Sequence, residues 1–94
     1  MTYVLLEQKL PDYQWFNHVF SADSHRRKLA GSLGGRVFRS PSDPDGYLIL
    51  LEFSDTEAAT RFAQSPYLHE AMKWAGDQPP LKISVLDPLI EMEA

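Results

Sequence analysis

Asp23 is the residue of this chain best placed to do chemistry, because of where helical spacing puts it. With residues 13–30 wound as a helix, a step of about 100° per residue gathers Phe16, Val19, Phe20 and Ala30 into one apolar stripe. Asp23 falls in the middle of that stripe, with Arg26 and Arg27 on its two shoulders. A carboxylate on an apolar face either pairs or takes up a proton, since a buried unpaired charge is expensive. One expectation is therefore a polar group at the floor of a pocket between helix and sheet, walled by Trp15, Phe16 and Phe20. The other is an internal ion pair of Asp23 with Arg27 or with Arg36 from the following strand, which perturbs a carboxylate without any catalysis.

Other chemistry-bearing residues fit solvated or packing roles. His18 and His25 share one side of the same helix but lie two turns apart, about 10.5 Å of rise, too far to chelate one ion. His69 is on the flank of its own helix, so no metal site is expected. Glu7 and Glu52 stand near the ends of the two central strands, where a catalytic pair and two solvated side chains are both conceivable. Gly34-Gly35 precedes a strand rather than a helix N-terminus and so is no phosphate loop; close packing or a bulge suits it better. Tyr67 and Trp74, seven apart, flank the apolar stripe of the last helix as core or interface aromatics. No Ser-His-Asp order and no basic-aromatic alternation points to a hydrolase or an RNA binder.

The elements that must position these residues read in the order β-α-β-β-α-β. Tyr3–Lys9 is a strand ended by Leu10-Pro11. Asp12 caps a helix over Tyr13–Ala30, and Gly31 stops it at a left-handed position. Gly34–Arg39 and Tyr47–Phe53 form a hairpin whose loop is Ser40–Gly46, with Asp45-Gly46 as its turn. Asp55 caps a short helix with the stripe Ala58, Ala59, Phe62, Ala63. Ser65-Pro66 starts another, lined by Leu68, Ala71, Met72 and Ala75 and ended by Gly76. Pro79-Pro80 leads into a last strand, Leu81–Leu86, with residues 88–94 as a tail. This is the ferredoxin-like α+β pattern, in which right-handed crossovers put both helices on one face of the antiparallel sheet.

Tyr47–Phe53 is apolar on both faces: Tyr47, Ile49, Leu51 and Phe53 on one, Leu48 and Leu50 on the other. A strand of that kind needs cover above and below, and the helices provide only one layer. A homodimer joined through the sheet face is therefore expected. The 94 residues are expected to make a single domain, 1–94, too short to bury much more than about 60% of its unfolded surface alone. A net charge of −4 disfavours nucleic acid and anionic membranes. The absence of cysteine excludes disulfides, thiolate catalysis and zinc-thiolate sites. No apolar run reaches the roughly 20 residues of a membrane span, and no signal peptide is read at the N-terminus, so a cytoplasmic location is expected.

Asp12-Tyr13 opening a helix with Trp15, Phe16 and Phe20, then Arg26-Arg27-Lys28-Leu29-Ala30-Gly31 and Gly35-Arg36-Val37-Phe38-Arg39, form a pattern together with later segments. Those are the Asp43-Pro44 turn, Leu50-Leu51-Glu52-Phe53, Glu57-Ala58-Ala59 with Phe62, Ser65-Pro66 and Glu70-Ala71-Met72. Across residues 3–87 the chain resembles the small dimeric α+β barrel proteins and, among them, the antibiotic biosynthesis monooxygenases. The resemblance implies a cavity between helices and sheet in each subunit of a dimer. Some such proteins oxidise aromatic polyketides there with no cofactor, neither metal nor flavin, the substrate's enolate supplying electrons to dioxygen. Others degrade haem, isomerise lactones or bind small molecules, so fold alone does not transfer function. Two departures stand out: Asp23 occupies a place where relatives often carry histidine, and His69 precedes Trp74, unlike the tryptophan-then-histidine order of the haem-degrading proteins.

The resulting expectation is a cofactor-independent monooxygenase acting on a small aromatic or polyketide-like molecule. Asp23 and Arg27 would be catalytic, and Trp15, Phe16, Phe20 and Arg36 would bind substrate. The alternative is a non-catalytic, small-molecule-binding or stress-associated dimeric module.

Overall fold

The computed structural model describes residues 1–9, 13–22, 24–76 and 82–93, with side chains at 74–76 left aside. Asp12 and Leu81, expected as a helix cap and a strand start, lie outside the described residues, as does Asp23. The elements are β1 (Thr2–Lys9), α1 (Tyr13–Ala22), α2 (Ser24–Leu29), β2 (Ser32–Ser40), β3 (Asp43–Phe53), α3 (Thr56–Gln64), α4 (Pro66–Gly76) and β4 (Lys82–Leu86). All strands pair antiparallel in the order β2-β3-β1-β4. The α+β, ferredoxin-like pattern is thus present, with the expected long helix described as α1 and α2 on either side of residue 23.

Local chemistry accounts for the element ends. Asp55 Oδ1 accepts the Ala58 N–H at 2.7 Å and so caps α3. Gly31, with φ of 102°, closes α2 in the left-handed region, and its N–H donates to the Lys28 carbonyl at 3.0 Å. A Cβ at Gly31 would stand 3.2 Å from Cβ of Ala58, so the same glycine lets α2 approach α3.

The hairpin differs from expectation. Ser40 pairs with Asp43, which puts the tip at Pro41-Ser42 and starts β3 four residues before Tyr47. Between the Ser40–Asp43 and Arg39–Tyr47 pairs, Pro44, Asp45 and Gly46 have no β2 partner, so the strongest turn formers of the chain make an irregularity inside the strand. Asp43 holds it by accepting the Asp45 N–H at 3.1 Å and meeting Lys9 Nζ at 3.4 Å. Pro44 is tolerated because β1 pairs with β3 only as far as Gly46.

The period-2 alternation of β3 is realised as read. Tyr47, Ile49, Leu51 and Phe53 are buried beneath the helices, joined by Val4 and Leu6 of β1, Phe16 of α1, Ala58 and Ala59 of α3, and Leu68 and Met72 of α4. At the strand ends the hydroxyls of Thr2 and Thr56, 2.9 Å apart, both reach Asp87 Oδ1, at 3.1 and 3.3 Å. That knot ties β1, α3 and the end of β4 together.

The opposite sheet face carries Tyr3, Leu5, Leu48, Leu50, Phe38 and Leu86 by register, with Leu48 37% exposed and Phe38 44%. Glu7 and Lys82 (3.6 Å apart), Glu52 and Arg36 share this face. Glu7 and Glu52 are four rungs apart on the antiparallel ladder, about 13 Å, too far to act as a carboxylate pair. Among the described residues, no helix is long and apolar enough to cross a membrane.

Candidate functional site

Three adjoining spaces lie along the helical side. The central one, about 290 Å³, opens between the ends of α1, α2, α3 and the start of α4. Its walls are apolar (Phe20, Leu29, Phe62, Leu68, Met72) apart from Arg26, Arg27, Ser65 and Tyr67. A smaller cavity of about 180 Å³ lies between Phe20 and Arg27 on one side and Gly34, Gly35, Val37, Ile49 and Leu51 of the sheet on the other. A shallow groove of about 490 Å³ runs outside α1 and α4, lined by Trp15, His18, Tyr67 and Glu70 among others.

Phe20 and Arg27 are the partition between the first two spaces, since both line each of them. The Arg27 guanidinium lies 3.7 Å from the Phe20 ring centroid and donates to the Phe20 carbonyl at 2.5 Å. Its charge is thereby held at an aromatic face inside an otherwise greasy enclosure, where electrostatic interactions are stronger than in water. Arg26, one residue earlier, lies 4.1 Å above the ring of Tyr67 on the opposite wall. β2 offers little to fill the small cavity: Gly35, which faces the helices by its register with Leu51, has no side chain. At Gly35 an added Cβ would collide with the Leu50 carbonyl, so the bareness is also what lets β2 pair closely.

The sequence-predicted site residues separate in space. Phe20 and Arg27 meet in the central cavity. Phe16, 1% exposed, lines none of the three spaces and supports Phe20 from the core, ring to ring at 5.1 Å. Trp15 faces the outer groove, stacked on His18 at 5.7 Å. Consecutive helical residues diverge by about 100°, so Trp15 and Phe16 cannot wall one pocket from the same side. Arg36 contributes to the wall of the small cavity, yet its register with Leu50 puts its Cβ on the sheet face turned from the helices. Asp23, the expected catalytic carboxylate, lies outside the described residues.

Sequence reasoning passed over Arg26 and Tyr67 as site residues. The signal was there for Arg26, on the shoulder of the stripe beside Arg27. Tyr67 only becomes a wall once α4 is laid against α1 and α2. His18, His25 and His69 are exposed, and among the described residues no group of three or more His, Asp or Glu could hold a metal ion.

The antibiotic biosynthesis monooxygenase family matches residues 14–74, well over half of the chain and the part that builds all three spaces. The chain belongs to this family. No curated protein matches it. Solved structures share the fold of this antibiotic biosynthesis monooxygenase family member over nearly its whole length. A Bordetella bronchiseptica protein named for the same monooxygenases superposes with a TM-score of 0.72 at 16% identity, covering 95% of this chain and 97% of its own. A Caulobacter crescentus protein of the same naming gives 0.69 at 20% identity, over 95% and 90%. SnoaB, a cofactor-independent oxygenase from Streptomyces nogalater, gives 0.71 at 13% identity, over 99% and 96%. At such identities the likeness is one of fold.

Proposed function

We propose that the protein is a monooxygenase-like catalyst that needs no cofactor and acts on a small aromatic or polyketide-like molecule bound in the central cavity. The observation that carries this is the Arg27 guanidinium held against Phe20 in the wall of an apolar cavity near the lower end of ligand-site volumes, about 300 Å³. An electron-rich CH₂ flanked by aromatic or carbonyl groups loses one proton to give an enolate, whose negative oxygen Arg27 stabilises. Asp23, four residues before Arg27 in the chain, is proposed to take that proton. The enolate carbon passes its electrons to dioxygen and forms a carbon–oxygen bond, giving a peroxide that is protonated. Loss of the second C–H proton and cleavage of the O–O bond release water and leave a ketone, so CH₂ and O₂ become C=O and H₂O.

Oxygen uptake with an anthrone-type substrate tests the assignment. Uptake is expected to fall by about 10²-fold or more in Asp23→Asn and in Arg27→Gln. Unchanged uptake in both variants removes the roles given to them.

The bare sheet face supports a homodimer. Six apolar residues at its centre with two acidic and two basic residues around them make a patch that is complementary to its own copy, as an isologous interface requires. The tail after β4 is proposed to cross to that partner, its Leu89, Ile90 and Met92 being 92%, 76% and 84% exposed on the single chain.

A further inference from the structure

We infer that Phe20 fixes how many fused rings the site accepts: two lie in the central cavity as it stands, and a third is admitted only where the Phe20 ring gives way. The inference rests on the central cavity being the aromatic-binding site and adds the residue that sets the size of what enters it. An apolar cavity of about 150 Å³ holds one benzene ring. By that measure the central cavity, about 290 Å³, holds two rings, and the small cavity, about 180 Å³, holds one more. The two spaces share Phe20 and Arg27 as walls, so a linear three-ring body spanning both must cross the line these side chains occupy. The sheet side of the small cavity cannot yield to it. Ile49 and Leu51 belong to the buried core, at 0% and 3% exposure, and the backbone at Gly35 pairs so closely with β3 that even a Cβ there would collide with the Leu50 carbonyl. On the helical side Phe20 is only partly buried, its ring lying against Phe16 at 5.1 Å and the Arg27 guanidinium at 3.7 Å. Arg27 is also anchored on the Phe20 carbonyl, a main-chain group that stays in place when the ring is removed. The Phe20 ring is thus the part of the partition that a shorter side chain takes away while the guanidinium keeps its anchor.

Binding of 2-naphthol and 2-anthrol, alike but for one ring, to the full chain tests this. Affinity is measured by titration calorimetry. The ligand is placed by the methyl resonances of Met72, in the wall of the central cavity, and Ile49, in that of the small one. In the unmodified protein 2-naphthol is expected to shift Met72, and 2-anthrol to bind no tighter than 2-naphthol despite its larger apolar surface. In Phe20→Ala, 2-anthrol should tighten about tenfold or more relative to 2-naphthol, through burial of its additional ring carbons, and should shift Ile49 as well. Phe20→Leu, which keeps an apolar side chain beside Phe16, should give a smaller gain in the same direction. It decides the matter if Phe20→Ala loses its native circular dichroism. An unchanged affinity ratio in the folded variants overturns the inference and leaves the aromatic site standing, as does a gain with no shift at Ile49. So does tenfold tighter binding of 2-anthrol than of 2-naphthol by the unmodified protein. Failure of both compounds to move Met72 there removes the aromatic site itself, and the inference with it. With an anthrone, whose three rings must turn Phe20 aside, both variants should lower KM for oxygen uptake more than they change kcat. Ring-count selectivity without uptake in any of the proteins would uphold Phe20 and refute the oxygenase chemistry.

Discussion

Arg26 and Arg27 are neighbours in the chain and part company in space, each laid on a different aromatic ring. Their aliphatic stems cover apolar surface while the planar heads keep their charge, which lysine would do less well at a stacked position. At the same scale, Asp55 shows how one side chain sets an element: its carboxylate at 2.7 Å from the Ala58 N–H begins α3 and so places Phe62 at the cavity. Replacing Asp55 by alanine should cost about 1 kcal/mol. For a chain of this size that lowers the thermal midpoint by about 4–8 °C in a calorimetric scan. A midpoint within a degree of the original would mean that the cap contributes nothing measurable.

Among elements, β2 is the one whose composition shapes the site. Its residues Leu33–Arg39 are all exposed, and at Gly35, which faces the helices by register, it brings bare backbone to the small cavity under α2. Gly35→Ala is expected to push β2 off β3, because the new methyl group meets the Leu50 carbonyl and the Leu51 side chain. Amide exchange of β2 and of its β3 partners should speed up by at least about tenfold, matching a local destabilisation of roughly 1.4 kcal/mol or more, while β1–β4 amides stay protected. Uniform acceleration across the sheet would instead show that β2 is not a separately loosened unit.

For the whole molecule, the sheet divides two environments. One face is covered by the four described helices over a core that includes Phe16, Phe53, Leu6 and Ile49, each with at most 1% exposure. The other leaves Leu48 and Phe38 more than a third exposed. A second copy against this face would take that surface out of water, and static light scattering at about 10 μM should then return twice the monomer mass. Leu48→Glu leaves the core beneath the helices untouched but sets a second carboxylate opposite Glu7 of β1, so it should cost one chain about 1 kcal/mol. Across a two-fold axis it buries unpaired charge in both partners at once, so the variant should scatter as a folded monomer with unchanged circular dichroism. A dimer that survives Leu48→Glu would place the interface elsewhere.

Periodicity in the sequence sufficed for what is decided within an element. The order β-α-β-β-α-β, the buried face of Tyr47–Phe53, the stripe of α3, the Asp55 cap and the left-handed Gly31 all follow from period 2, period 3.6 and the chemistry of chain ends. The hairpin tip was less legible, because Asp45-Gly46 is turn chemistry whether it closes a loop or kinks a strand, and only pairing with β1 and β2 selects between them. The division of the site could be read least. Whether Trp15, Phe16 and Phe20 enclose one pocket or face a groove, a core and a cavity depends on where α2, α4 and β2 come to rest around α1. Cavities belong to the gaps between elements, and those gaps are set by packing of residues far apart in the chain, as when Tyr67 meets Arg26 or Gly35 lets β2 close on Leu50.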